Sequence, residues 1–388
     1  MIQFDPNATH KCVVKTMAGF EELLYDELTD LGIQNITRMT RAVSFDGETA
    51  DIYRVNYYSR FAIRVLVEIH TYKAFDDKRL HSKAMQFDWS SLMTIDDTFA
   101  IDSAVHSDFH THSQFAALRV KDAIADFFME KQGKRPSVDI KRPDFRINVH
   151  IEKQYVTLSL DSSGASLHKR GYRTSTFEAP LNEVLAAGMI KLSGWDGSSA
   201  FWDPMCGSGT LVCEAAMMAY NIAPQVNRDR FGFKKWSNFN QELWDKIREE
   251  RPETRDKEVK IFASDLEARS VSIAKEHLDN LRLSHLVKVE QQDIFKSQSP
   301  AEKGTMIINP PYGVRLEKDQ IEKFYDEMSG YIKHKLPGWD AWIFTSNRDA
   351  LKRFGLRPSK KITLYNGALQ CAFWKYEIFA GKRKEHKA

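Results

Sequence analysis

AFWDPMCGSGTLVCEAAMMAYN, residues 200–221, decides the fold class. Ala200 to Trp202 form a short apolar run of the kind that fills a buried strand. Asp203 to Gly209 turn the chain through two glycines, and Thr210 to Asn221 make an apolar segment of helical length. Strand, glycine turn and helix form the repeating unit of a parallel sheet.

The same rhythm continues outward. A helix is expected from Leu181 to Leu192, ahead of the first strand. After it come a strand at Val259 to Ala263, a helix at Glu267 to Leu283 and a strand at Val287 to Gln291. Then follow a strand at Met306 to Ile308, a helix at Gln320 to Lys335 and a strand at Ala341 to Thr345. Lys361 to Leu364 and Gln370 to Phe379 close the chain a few residues apart with no helix between them, as an antiparallel hairpin. The expectation for 180–388 is therefore an α/β, Rossmann-like sheet with helices on both faces.

The first half is different. Strands at Lys11 to Lys15, Ala42 to Phe45 and Ala62 to Tyr72 alternate with helices at Gly19 to Leu31 and Asp51 to Tyr58. That order is ferredoxin-like. A strand at Phe99 to Val105 follows, then a helix capped by Ser113 and running to about Lys131. Phe145 to Glu152 and Gln154 to Asp161 pair as a hairpin. The Ser-, Gly- and Thr-rich stretch after Asp161 reads as a linker.

Composition narrows the class. The chain has 388 residues, 42% of them hydrophobic and 28% charged, enough for two or three separate cores. A net charge of +3 is too small to identify a nucleic-acid binder without a local basic face. No run approaches the roughly 18 apolar residues of a membrane span, and the first residues do not read as a signal peptide. Cys12, Cys206, Cys213 and Cys371 are scattered, without zinc-like spacing. Reduced thiols and a cytoplasmic location are expected.

Three features fall at successive strand ends, where open α/β sheets bind ligands. In Asp203–Thr210, Gly207 and Gly209 let the backbone approach a ligand, although a glycine pair after a strand also makes a bare turn. Asp265, in IFASD, is placed either to accept both ribose hydroxyls or to cap the next helix. Asp293, in QQDIF, is the parallel case for an adenine amino group, with Ile294 and Phe295 beside the purine. The third feature is Asn309-Pro310-Pro311-Tyr312-Gly313. Two prolines remove two N–H donors, so Asn309 and the Pro310 carbonyl present an edge of acceptors to an amine. Tyr312 offers a flat face for a flipped base.

DPMCGSGT (203–210) and NPPYG (309–313) resemble the cofactor loop and catalytic loop of amino-group methyltransferases. Joined to an N-terminal region of this size, and to LHKRGYR (167–173) and APLNEVLAAGMI (179–190), they resemble the THUMP-domain RNA guanine-N2 methyltransferases. Within that family the chain is most similar to the unfused form of the bacterial enzymes that make N2-methylguanosine in 23S rRNA. The resemblance implies a ferredoxin-like domain (1–65), a THUMP domain (66–165), a linker (166–179) and a class I methyltransferase domain (180–388). It implies S-adenosylmethionine as cofactor, S-adenosylhomocysteine as product, and no metal. Asp203, Pro204, Cys206, Gly207, Gly209 and Thr210 would line the methionine part. Leu181, within 179–182, would close over that end. Asp265 and Leu266 would hold the ribose, and Asp293 and Ile294 the adenine. Asn309, also against the cofactor, would hold the target amine with Pro310, Pro311 and Tyr312. Met205 stands where many relatives carry Phe. A second, fused methyltransferase domain is not expected.

RNA contact is expected from Lys141, Arg142 and Arg146, and from Lys169, Arg170 and Arg173 in the linker. The basic tail (Lys382, Arg383, Lys384, Lys387) and the histidines of HSDFHTH (106–112) read as solvated rather than functional. The expected partner is RNA, as 23S rRNA or a ribosomal precursor, with the protein a monomer or weak dimer. Three rivals share these motifs: a tRNA guanine-N2 methyltransferase, an N6-adenine methyltransferase acting on DNA or RNA, and a non-catalytic RNA-binding protein.

Overall fold

The computed structural model describes residues 5, 8–109, 112–174, 180–250, 258–310 and 318–380. Pro311, Tyr312, Ala179, His110 and the basic tail lie outside the described residues. The chain forms two compact units. One comprises Met1–Thr16, Phe20–Leu167 and Arg228–Glu250, and the other Met17–Gly19, His168–Asn227 and Arg251–Ala388.

The first unit is built on one sheet. Its elements are β1 (His10–Lys15), α1 (Glu21–Asp30), β2 (Thr37–Met39), β3 (Ala42–Gly47), α2 (Thr49–Tyr58), β4 (Arg64–Lys73) and α3 (Asp77–Ala84). Then come β5 (Thr98–His106), α4 (Ser113–Gln132), β6 (Ser137–Val138), β7 (Phe145–Glu152) and β8 (Tyr155–Asp161). The strand order is β2-β3-β1-β4-β8-β7-β5-β6. β4 pairs antiparallel with β1 on one side and with β8 on the other, so one strand serves both the ferredoxin-like and the following layer. Ser113 is not the cap expected of it: it is the first helical residue of α4, after His112. α3 escapes the periodicity reading because only Leu80 and Ala84 of its eight residues are buried, too few to mark a stripe.

The second unit contains α5 (Glu183–Ser193), β9 (Ala200–Asp203), α6 (Thr210–Ala219), β10 (Ile261–Asp265), α8 (Ala268–Asn280), β11 (Val287–Gln291) and β12 (Gly304–Ile308); α7 (Gln241–Glu249), between α6 and β10 in the chain, belongs to the first unit. It closes with α9 (Lys318–Lys335), β13 (Trp339–Thr345), α10 (Arg348–Lys352), β14 (Lys360–Asn366) and β15 (Leu369–Glu377). The strand order is β11-β10-β9-β12-β13-β15-β14. The first five strands are parallel, and β15 and β14 close the sheet as an antiparallel hairpin. From β9 the chain moves outward to β11, then returns to lay β12 on the other side of β9. That reversal is the crevice where such sheets bind ligands. Trp202, Met306, Ile308, Tyr325, Ile332 and Trp339 pack one face of the sheet as a buried core. β9 and β12 approach closely at Gly304, where a Cβ would meet the Ala200 carbonyl oxygen at 2.4 Å.

Arg228–Glu250, which falls within the chain span of the sheet domain, belongs in space to the first unit. Its aromatic residues explain why. The Tyr53 ring of α2 stacks on Phe233 at 4.3 Å between centroids and meets Trp244 edge-on at 5.8 Å. Phe231 adds a further edge contact with Trp244, at 5.2 Å. Each such pair contributes about 0.5–1.5 kcal/mol beyond the area it buries. Arg228 donates to the carbonyls of Ser163, Ala165 and Ser166, fixing the start of the segment.

Candidate active site

The loop after β9 is held from two sides. The Cys206 N–H donates to the Ser264 carbonyl at 2.9 Å, and the Gly207 N–H donates to Asp265 Oδ2 at 2.8 Å, both on β10. From α8, the buried His277 reaches the Ser208 carbonyl through Nδ1 at 2.9 Å, an arrangement in which the ring nitrogen carries the proton. The turn closes with the Gly209 N–H on the Cys206 carbonyl at 2.8 Å. Gly209 has φ +78°, and a Cβ there would meet Ala274 Cβ at 2.8 Å, so both backbone conformation and helix packing require glycine. His277 was not legible as a loop support: a histidine on the buried face of an amphipathic helix reads simply as core.

Two carboxylates converge here. Asp203, at the end of β9, is buried, and its carboxyl accepts from the Met205 N–H at 3.3 Å. Burial pushes it well above the usual carboxylate range; the Met205 N–H pulls it back, and the charge of Asp265 pushes it further up. Asp265 uses Oδ2 for Gly207 and Oδ1 for the Glu267 N–H at 3.0 Å, leaving each oxygen a free lone pair. It therefore supports the loop and the start of α8 at once, with acceptor capacity to spare. Such a site favours a cationic ligand with hydroxyl donors. The Cys206 thiol is also pushed up, first by burial and then by Asp203 and Asp265, so it remains neutral and is no nucleophile.

Asp293 caps the single turn Ile294–Lys296, accepting from the Phe295 N–H at 3.0 Å, with Lys296 3.7 Å away. Ile294 is buried in the core beside Trp202 and Met306. Leu266, by contrast, is 67% exposed directly beyond Asp265.

β12 runs parallel to β9 with Thr305 opposite Phe201 and Met306 opposite Trp202. Continuing that register puts Asn309 at the same sheet end as the glycine loop. It stands about two residues, or roughly 7 Å, beyond the level of Asp203 on the neighbouring strand. Its Oδ1 is buried and has no hydrogen-bond partner among the described residues, and Pro310 is buried beside it. An unsatisfied buried acceptor costs about 1–3 kcal/mol, which a ligand donor recovers. Asn309 and Asp203 thus stand on adjacent strand ends, with Asp265 and Asp293 on the next two.

Several basic residues are corrected. Arg170 is fully buried, with Nε 3.2 Å from Glu214 Oε1, so its guanidinium contacts no phosphate. Arg173, 14% exposed, is engaged with Glu183, Leu181 and Thr210. Arg146, 12% exposed, pairs with Asp102 and donates to the Ile140 carbonyl. Arg170 and Arg173 serve buried acceptors because desolvated charge must be paired, and Arg146 is held by acceptors at the surface. Lys141, Arg142 and Lys169 are exposed. Thr210, expected to line the cofactor, accepts from Arg173 through its hydroxyl.

Residues 170–375 match the model of the RMKL-like methyltransferase domain, over half of the chain. The chain belongs to the RMKL-like methyltransferase family. Ahead of that domain, residues 72–161 match the THUMP domain and residues 11–66 the RlmL ferredoxin-like domain. Among family relatives, a protein of Synechocystis sp., provisionally named an RNA methyltransferase, is 34% identical over 377 residues, 96% of this chain and 98% of that protein. The ribosomal RNA large subunit methyltransferase K/L of Syntrophotalea carbinolica is 38% identical over 376 residues, 93% of this chain and 52% of its own length. The chain thus spans about half the length of that K/L enzyme. SMU.472, provisionally a methyltransferase, was solved in complex with SAH. It superposes with a TM-score of 0.84 at 30% identity, covering 96% of this chain and 99% of its own.

Proposed function

We propose that this chain is an S-adenosylmethionine-dependent RNA methyltransferase that forms N2-methylguanosine, with 23S rRNA as its target. The observation that carries the reading is the buried Asn309 Oδ1 at the crevice, one strand from the glycine loop and without a hydrogen-bond partner among the described residues. The RNA class follows the names of the relatives and the THUMP match.

S-adenosylmethionine, when bound, supplies a methyl group on a positively charged sulfur. Gly207 and Gly209 bring backbone close to its methionine part, and the Asp265 carboxylate, beside the buried Asp203 carboxyl, supplies the negative potential that a cation needs. Asp265 has lone pairs left for ribose hydroxyls, Asp293 accepts from the adenine amine, and Leu266 offers an exposed apolar side chain beside them. Asn309 Oδ1 and the Pro310 carbonyl accept the two N–H bonds of a guanine amine. That pulls the nitrogen toward tetrahedral geometry and localises a lone pair otherwise delocalised into the ring. The residues act by preorganised electrostatics and alignment, not by proton abstraction in advance.

Asp265→Ala is expected to weaken S-adenosylhomocysteine binding more than tenfold, since it removes the ribose acceptor and frees the Gly207 N–H. Calorimetry that found unchanged affinity would remove Asp265 from the cofactor site. On the RNA side, Lys141 and Arg142 are exposed, and their backbone N–H groups are tied to Asp139 at 2.9 and 3.0 Å. Replacing both with Ala should lower the slope of log affinity against log salt by about two. An unaltered slope would place the phosphate contacts elsewhere.

A tRNA guanine target uses the same acceptor edge. Mass spectrometry of modified nucleosides from rRNA and tRNA, with and without the gene, separates the two. Loss of N2-methylguanosine from 23S rRNA is expected, whereas loss from tRNA alone, or of N6-methyladenine instead, overturns the assignment.

A further inference from the structure

His168–Arg173 supplies two arginines to the interior of the catalytic unit, and Arg173 does so next to the glycine loop. Its Nη2 donates to the Leu181 carbonyl at 2.8 Å and to Thr210 Oγ1 at 2.6 Å. Its Nε stands 2.9 Å from Glu183 Oε1, an ion pair not aligned as a hydrogen bond. Leu181 and Glu183 flank Asn182, whose side chain caps α5 by accepting from the Val184 and Leu185 N–H groups. Thr210 is the first residue of α6, directly after Gly209. A single planar guanidinium therefore ties the start of α5 to the start of α6, a task that suits its fixed fork of donors.

We propose that Arg173 is a positioning residue for the cofactor loop, setting where the Gly207–Gly209 turn meets the methionine part by locking Thr210 to the start of α5. This rests on the reading of that loop as the S-adenosylmethionine site. Leu181, Glu183 and Thr210 are all buried, so the three acceptors cannot exchange Arg173 for water without exposing buried polar atoms. Loss of the guanidinium is thus transmitted to the loop.

The tie is sensitive to protonation. Burial pushes the Glu183 carboxyl up to about 7, against the pull of Arg173; Glu214 pushes it further up and Arg170 draws it down. Among the described residues, Cys213 on α6 and Tyr172 also face it, and burial raises the pKa of both. Acidification through pH about 7 therefore neutralises Glu183 and reduces its attraction for Arg173.

Calorimetry with S-adenosylhomocysteine tests the role. Arg173→Met should lower affinity about tenfold or more, and Arg173→Lys, which keeps the charge but reaches fewer acceptors, should recover part of the loss. Wild-type affinity in Arg173→Met overturns the proposal. Should that variant not fold, Glu183→Gln keeps the side-chain volume and removes only the titrating group. Its affinity should lack the fall expected of the wild type on acidification through pH about 7, and a pH profile identical to that of the wild type would overturn the proposal. A wild-type chain that bound no S-adenosylhomocysteine would instead sink the cofactor assignment, and this role with it.

Discussion

Asn309→Ala is expected to lower turnover by about 100-fold or more, the usual consequence of removing one preorganised polar group from a site of charge development. Cofactor affinity should stay within about tenfold, because the glycine loop, Asp265 and Asp293 are untouched. The asymmetry follows from the geometry. Asn309 Oδ1 is buried without a partner among the described residues, whereas Asp265 is already committed to the loop through the Gly207 N–H. A group held unsatisfied in the resting protein is available to whatever enters. Measured kcat with S-adenosylhomocysteine affinity on the same preparation checks both halves, and near-normal turnover in Asn309→Ala would remove the acceptor edge from the mechanism.

The largest expected effect on stability lies at Arg170 and Glu214, whose side chains are both fully buried and 3.2 Å apart. Glu214→Ala removes the carboxylate that neutralises a fully buried guanidinium, and chemical unfolding should register a loss of about 3–5 kcal/mol. Replacing both partners, as Arg170→Met with Glu214→Leu, should recover most of that, since two apolar side chains of similar size carry no desolvation penalty. A single mutant within about 0.5 kcal/mol of wild type would mean that the pair is solvated in solution.

The parallel sheet, its closing hairpin and the ferredoxin-like order were readable because apolar periodicity is local. Val287 to Gln291 and Phe145 to Glu152 were expected with the bounds they have in the structure. The candidate site was readable for a related reason: Asp203, Gly207, Asp265, Asp293 and Asn309 all sit at strand ends, and strand ends converge in this topology. The reading failed where charge looked the same in a string but not in space. Arg170 and Arg173 resemble Lys169 as letters, yet Lys169 is exposed while both arginines are paired inside.

The sequence by itself determined the two kinds of layer, the strand ends that form the candidate site and the family, since each depends on short-range pattern or on contiguous motifs. Only the tertiary structure decided that β4 joins both halves of the first sheet, that Arg228–Glu250 leaves its chain neighbours for the aromatic face of α2, and that His277 and Arg173 hold the glycine loop. The physical reason is common to all of these. Burial and hydrogen-bond pairing between residues tens of positions apart depend on which surfaces meet, and local periodicity carries no record of that.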